Sequence, residues 1–123
     1  MSDYRTPLDD IRLTLDAITN ISSICDLPGY EHVDPETIDG MLDELGRFVA
    51  EVIGPVDRIG DQQGCSVEDG VVTMPGEFHS AWDQFVEAGW SSISQDPDYG
   101  GGGFPGAIQT VMTEMLGAAS RSW

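Results

Sequence analysis

The stretch whose spacing spells a chemical fingerprint is "DPDYGGGGFPGA", residues 96–107, which contains a literal Gly-x-Gly-x-x-Gly at Gly101, Gly103 and Gly106. That pattern cradles a dinucleotide when a buried strand feeds it and an acidic residue ends a second strand. Here "SISQDPDY" feeds it and nothing β-like follows. A flexible linker is equally unsuited, because Tyr99, Phe104 and Pro105 pin both ends. The spacing predicts an ordered, tightly wound turn at Gly100, Gly101 and Gly103, where positions need positive φ or lack room for a β-carbon, with Pro105 opening a helix.

The remaining candidates are weaker. Asp57, Asp61 and Glu68, with Gly60 and Gly64, suggest a calcium loop, but Ile59 stands where an oxygen ligand is needed, so a solvated loop is expected. Glu114 is the one acid in "VMTEMLGAA". A catalytic base would need burial beside a substrate, and a carboxylate on the helix surface or between helices is the better reading. Cys25 and Cys65 stand far apart, and His32 and His79 have no ligand-like partner a turn away. Free, buried or half-buried thiols follow, with no metal site and no catalytic residue.

Four helical segments must position whatever function exists. In the first, Thr6 caps, Pro7 starts, and Leu8, Ile11, Leu15 and Ile18 form an apolar stripe before a stop within residues 20–30. In the second, Asp34 caps, Pro35 starts, and Ile38, Leu42, Leu45, Phe48, Val49 and Val52 recur at helical spacing. Gly54-Pro55 should kink or end it, yet Val56 and Ile59 carry the stripe on, which predicts a kinked helix or one helix with a short continuation to about Gly60. Val71 and Val72 make a short extended piece, hardly a sheet. Pro75 opens the third helix, with Phe78, Ala81, Trp82, Phe85 and Ala88 inward and Gly89 ending it in the left-handed manner. The fourth turns Ile108, Val111, Met112, Met115, Leu116 and Ala119 inward. The fold class is all-α, a bundle of about four main helices spanning residues 1–123 as one domain.

Composition narrows the partners. Twenty-two acidic residues face five basic ones, all arginine, for a net charge of −17. Such a chain repels nucleic acid and anionic membranes, and without lysine it cannot form a P-loop. The acidity reads either as a solvation habit of a high-salt cytoplasm or as a surface for a basic partner. Acids spread along the chain favour the first. No apolar run approaches the roughly 20 residues a membrane helix needs, and the first ten residues lack a secretory layout, which predicts a cytoplasmic protein.

Four blocks, in order, carry a resemblance: "YRTPLDDIRLTL", "FVAEVIGPVDRIGDQQGC", "VVTMPGEFHSAWDQFVEAGW" and "DPDYGGGGFPGAIQTVMTEML". Together they resemble the N-terminal helical domain of the acyl-CoA dehydrogenases, in particular the larger bacterial methylthiopropionyl-CoA dehydrogenase-like members. The resemblance implies that the glycine turn is structural and joins two helices beside the acyl pocket, with Met112, Met115, Leu116 and Ala119 in the pocket wall. Gly102 stands where relatives commonly carry a longer polar residue, which predicts a looser turn. It also implies FAD and acyl-CoA in the complete enzyme, whose base and most of whose flavin site belong to later β- and helical domains. No cofactor is expected on this chain alone. The pattern departs at about Ser120, so the chain is expected to be an N-terminal piece of the enzyme, or a truncated or split product, inactive alone. An inner face of Trp82, Phe85 and Met115 would then be exposed, predicting self-association or binding to the missing domains or a full-length homologue. The alternative is a stand-alone acidic interaction module or regulatory subunit.

Overall fold

Asp34 begins the longest rod: its carboxylate accepts the Thr37 N–H at 2.7 Å, and Pro35 follows with φ already set for a helix. In the computed structural model, which describes residues 3–123, this helix, α3, runs Pro35–Phe48. It continues through a π-helical turn, Val49–Ile53, into α4, Gly54–Gln63. The expected continuation past Gly54-Pro55 is present, and it passes through this wider turn. Proline has no N–H and crowds the carbonyl one turn back, and the wider turn, closed by Gly54 N–H on Val49 O, accommodates it without stopping the rod.

The first helix, α1, spans Leu8–Thr14 and passes into the first π turn in chain order, Leu15–Thr19, closed by Asn20 N–H on Leu15 O, which makes Val49–Ile53 the second. Asn20 is left-handed (φ 51°), and α2, Ile21–Cys25, follows. The added residue in the wide turn shifts the stripe, so Ile18 is 81% exposed and not inward as expected, while Ile21 is buried. Thr6 is not the cap. Pro7 occupies that position, and the buried Thr6 hydroxyl has no hydrogen-bond partner among the described residues.

The expected extended piece at Val71 and Val72 is present, and it pairs into a two-stranded hairpin. Strands β1 (Ser66–Glu68) and β2 (Val71–Thr73) pair antiparallel with Val67 opposite Val72. Asp69 (φ 50°) and Gly70 (φ 78°) make the turn, the conformation that matches strand twist. Helices α5, Gly76–Glu87, and α6, Gly106–Ala119, complete the bundle, with Gly89 left-handed after α5 as expected. Ala88 is exposed there, where an inward position was expected.

The core is centred on the rod. Leu42, Leu45, Val49 and Ile53 are buried against Ile108 and Met115 of α6, which packs on the second π turn. Each such side chain contributes roughly 1.5–3 kcal/mol by leaving water. Helix α1 is tied to α3 twice: Leu8 packs over Gly46, and the Arg12 guanidinium donates to Asp39 and, at 2.6 Å, to Asp43. Among the described residues no helix is long and apolar enough to cross a membrane.

Candidate functional site: an apolar groove behind a closed glycine turn

The glycine turn is built as its spacing predicts. Gly100 (φ 86°) and Gly103 (φ 64°) are left-handed, and a β-carbon on Gly101 would lie 2.1 Å from Gln95 O. The amides are all turned inward: Gly100 donates to Pro97 O, Gly101 to Asp96 O, Gly102 to Ser92 O, Gly103 to Gln95 O and Phe104 to Ile93 O, at 2.9–3.0 Å. None of these five amides is left free for a phosphate. Gly102 does not loosen the turn, since a β-carbon there would meet Ile93 O at 2.6 Å and its carbonyl lies 3.0 Å from His32 Nε2. His32, isolated in sequence, thus braces the turn across 70 residues.

Past this turn α6 starts, and with α5 it forms a groove of about 430 Å³ lined by Trp82, Phe85, Met112, Leu116, Ser120 and Trp123 among others. The volume suits a small ligand or a segment of chain. No lining residue is titratable, so the groove can shelter apolar groups but cannot move protons. Of the four expected wall residues the structure brings two here, Met112 and half-buried Leu116. Met115 (1% exposed) and Ala119 (7%) turn into the core instead. The expected exposed face is likewise corrected: Phe85 and Met115 are buried, and Trp82 alone is open, at 53%. Phe85 is covered by Trp123, edge-on at 5.5 Å, and by Phe48 at 6.3 Å.

The remaining sequence candidates separate. Glu114 is exposed on α6, within the reading given above, and Cys25 is buried. Cys65 is exposed rather than half-buried, because it precedes the solvent-facing hairpin. Asp57 and Asp61 lie on α4, not in a solvated loop, which separates them from Glu68 on β1.

Asp57 has a role that the sequence hid. It holds residues 120–123 against α4: Arg121 N–H donates to Oδ1 at 3.1 Å, and the Ser122 hydroxyl lies 2.9 Å from the Asp57 carbonyl. Gly60 makes room for this, since a β-carbon would fall 2.5 Å from Ser122 Oγ. The Ser120 hydroxyl first, then the Arg121 N–H and the Ser122 hydroxyl, hold the Asp57 carboxyl below its usual range. A depressed folded-state pKa contributes stability above the unfolded value, about 3.9, and loses it as pH falls through the folded one. The Arg121 amide resonance should therefore titrate between neutral and acid pH as the tail lets go. Asp57→Ala should release the Arg121 amide and abolish that titration, while Ser122 keeps its bond to the residue-57 carbonyl; an unchanged profile in the variant would refute the latch.

Compared with known proteins, the chain is 32% identical over 120 residues to 3-methylmercaptopropionyl-CoA dehydrogenase of Ruegeria pomeroyi, a match covering 98% of this chain. The chain matches part of an acyl-CoA dehydrogenase. It spans about 20% of that relative's length. No family model matches the chain. The similarity to an acyl-CoA dehydrogenase takes in all four blocks that carried the resemblance, and the helical architecture agrees with it.

Proposed function

We propose that this chain forms the N-terminal helical domain of an FAD-dependent acyl-CoA dehydrogenase, desaturating acyl-CoA thioesters between the α and β carbons. Met112 and Leu116 line one side of the acyl pocket, and Met115 and Ala119 support them from beneath. The observation that carries the reading is the 32% identity over 120 residues, nearly the whole chain. The groove agrees with it in character: apolar, of ligand size, and without a titratable side chain.

The glycine turn does not fit a flavin's diphosphate. The turn's amides are already bonded to backbone carbonyls, and Arg12 and Arg47 are engaged in ion pairs. Flavin and base therefore belong, in this reading, to residues other than these, and desaturation needs both held against the substrate.

Two measurements test it. The purified chain should show no flavin absorbance and no dye reduction with acyl-CoA substrates; turnover would overturn the assignment of base and flavin elsewhere. The DNA after the Trp123 codon should encode, in frame or frameshifted, a β-domain and a further helical domain. An unrelated gene there, behind an intact stop, supports the stand-alone acidic module or regulatory subunit instead.

A further inference from the structure

The groove between α5 and α6 is walled on one side by two indoles, Trp82 and Trp123. Beyond them, toward the start of α5, lies a second apolar concavity of about 200 Å³, lined by Met74, Phe78, His79 and the same two indoles. The two spaces share Trp82 and Trp123 and no other lining residue. They therefore follow one another along α5, from Phe78 through Trp82 to Phe85, with the indole pair as the partition. The indole centres lie 6.2 Å apart, tilted by 43°, and Trp123 meets Phe85 edge-on at 5.5 Å. Both separations are those of attractive aromatic contacts.

Trp123 has a built seat. The Ser122 hydroxyl donates to the Asp57 carbonyl at 2.9 Å, and the Trp123 N–H donates to the buried Ser120 hydroxyl at 3.1 Å. Gly60 lacks the β-carbon that would overlap both Phe78 and Ser122. The half-buried indole is thus placed by the backbone around it as well as by its own ring contacts. We propose that Trp123 is a specificity-determining residue: its indole closes the groove on the Phe78 side and limits the length of acyl chain that the groove accepts. This rests on the reading of the groove as the acyl pocket. Each methylene that leaves water strengthens binding about fourfold, and that gain ends where the chain meets a close-packed wall that does not yield a methylene's volume cheaply. Past the wall, the four residues from Trp82 back to Phe78 add about 6 Å along the helix axis, room for several more methylenes. With the indole removed, the two spaces join.

The test titrates the isotopically labelled 123-residue chain with the butanoyl, hexanoyl, octanoyl and decanoyl thioesters of N-acetylcysteamine, which carry an acyl chain without the CoA nucleotide. In the unaltered chain each should shift the Met112 and Leu116 amides and leave those of Met74 and Phe78 still, and the gain per methylene should stop by decanoyl. In Trp123→Ala the gain should continue, decanoyl binding roughly tenfold tighter than to the unaltered chain, with Met74 and Phe78 now shifted. Trp123→Phe, which keeps a ring against Phe85, should fall between the two, and unchanged α3 amides show that both variants are folded. Long chains reaching Met74 and Phe78 in the unaltered protein, a gain that never stops there, or the same limit in Trp123→Ala would each overturn the partition alone. No saturable shift of Met112 and Leu116 with any thioester would overturn the acyl-pocket reading, and this proposal with it.

Discussion

Met115→Ala is expected to lower stability by about 2–5 kcal/mol, which at roughly 4 °C per kcal/mol for a chain of this size is a large fall in melting temperature. Met115 is 1% exposed and sits where α6 crosses the second π turn of the rod, among Val49, Ile53 and Ile108, each 0% exposed. Removing its thioether leaves a cavity that the close-packed surroundings can collapse into only partly. Leu116 is only half-buried at the groove, so Leu116→Ala should cost no more than about 1 kcal/mol. The pair separates packing from pocket. If Met115 truly faced an open acyl groove, both substitutions would cost little, and thermal melts showing equal, small losses would contradict the core position of Met115.

That contrast also marks where sequence reasoning reached its limit. The apolar stripe of α6 was legible from its spacing, but it is wide enough to face two neighbours. Which half meets the rod and which the groove is decided by α5 and the tail, not by α6. Helix starts were legible because Asp34-Pro35, Pro75 and Pro105 act locally. So was the glycine turn, whose requirements are local backbone ones. Pro55 announced a disturbance, yet the stripe running through it was the better guide, since a wide turn absorbs the missing donor. The first π turn has no such proline, and nothing local signals that Ile18 leaves the stripe. Asp69-Gly70 between short valine-bearing runs is a hairpin signal that the sequence carries locally. The Asp57 latch joins residues 65 positions apart, and no local pattern encodes it.

Gly101→Ala is expected to cost about 3 kcal/mol or more, the second of the two largest effects, with the loss concentrated in the loop of residues 92–104. The new β-carbon would lie 2.1 Å from Gln95 O and 2.3 Å from its carbonyl carbon. Backbone atoms held by Gly103 N–H on one side and the Ser92 and Ile93 carbonyl bonds on the other have nowhere to move cheaply. Gly100→Ala provides the contrast: φ there is +86° but nothing lies within 4 Å, so only the left-handed conformation is penalised, at about 1 kcal/mol. Gly40→Ala, mid-helix on α3 with open space around it, should gain roughly 0.5–1 kcal/mol. Amide exchange gives the site-specific check. In Gly101→Ala the Gly102 and Phe104 amides, which close the turn on Ser92 O and Ile93 O, should lose protection before the amides of α3. Because Phe104 and Pro105 lead directly into α6, a turn that opens also releases the start of the helix lining the groove. Were Gly101→Ala as mild as Gly100→Ala, the close passage of the chain over Gln95 would not be what sets this turn.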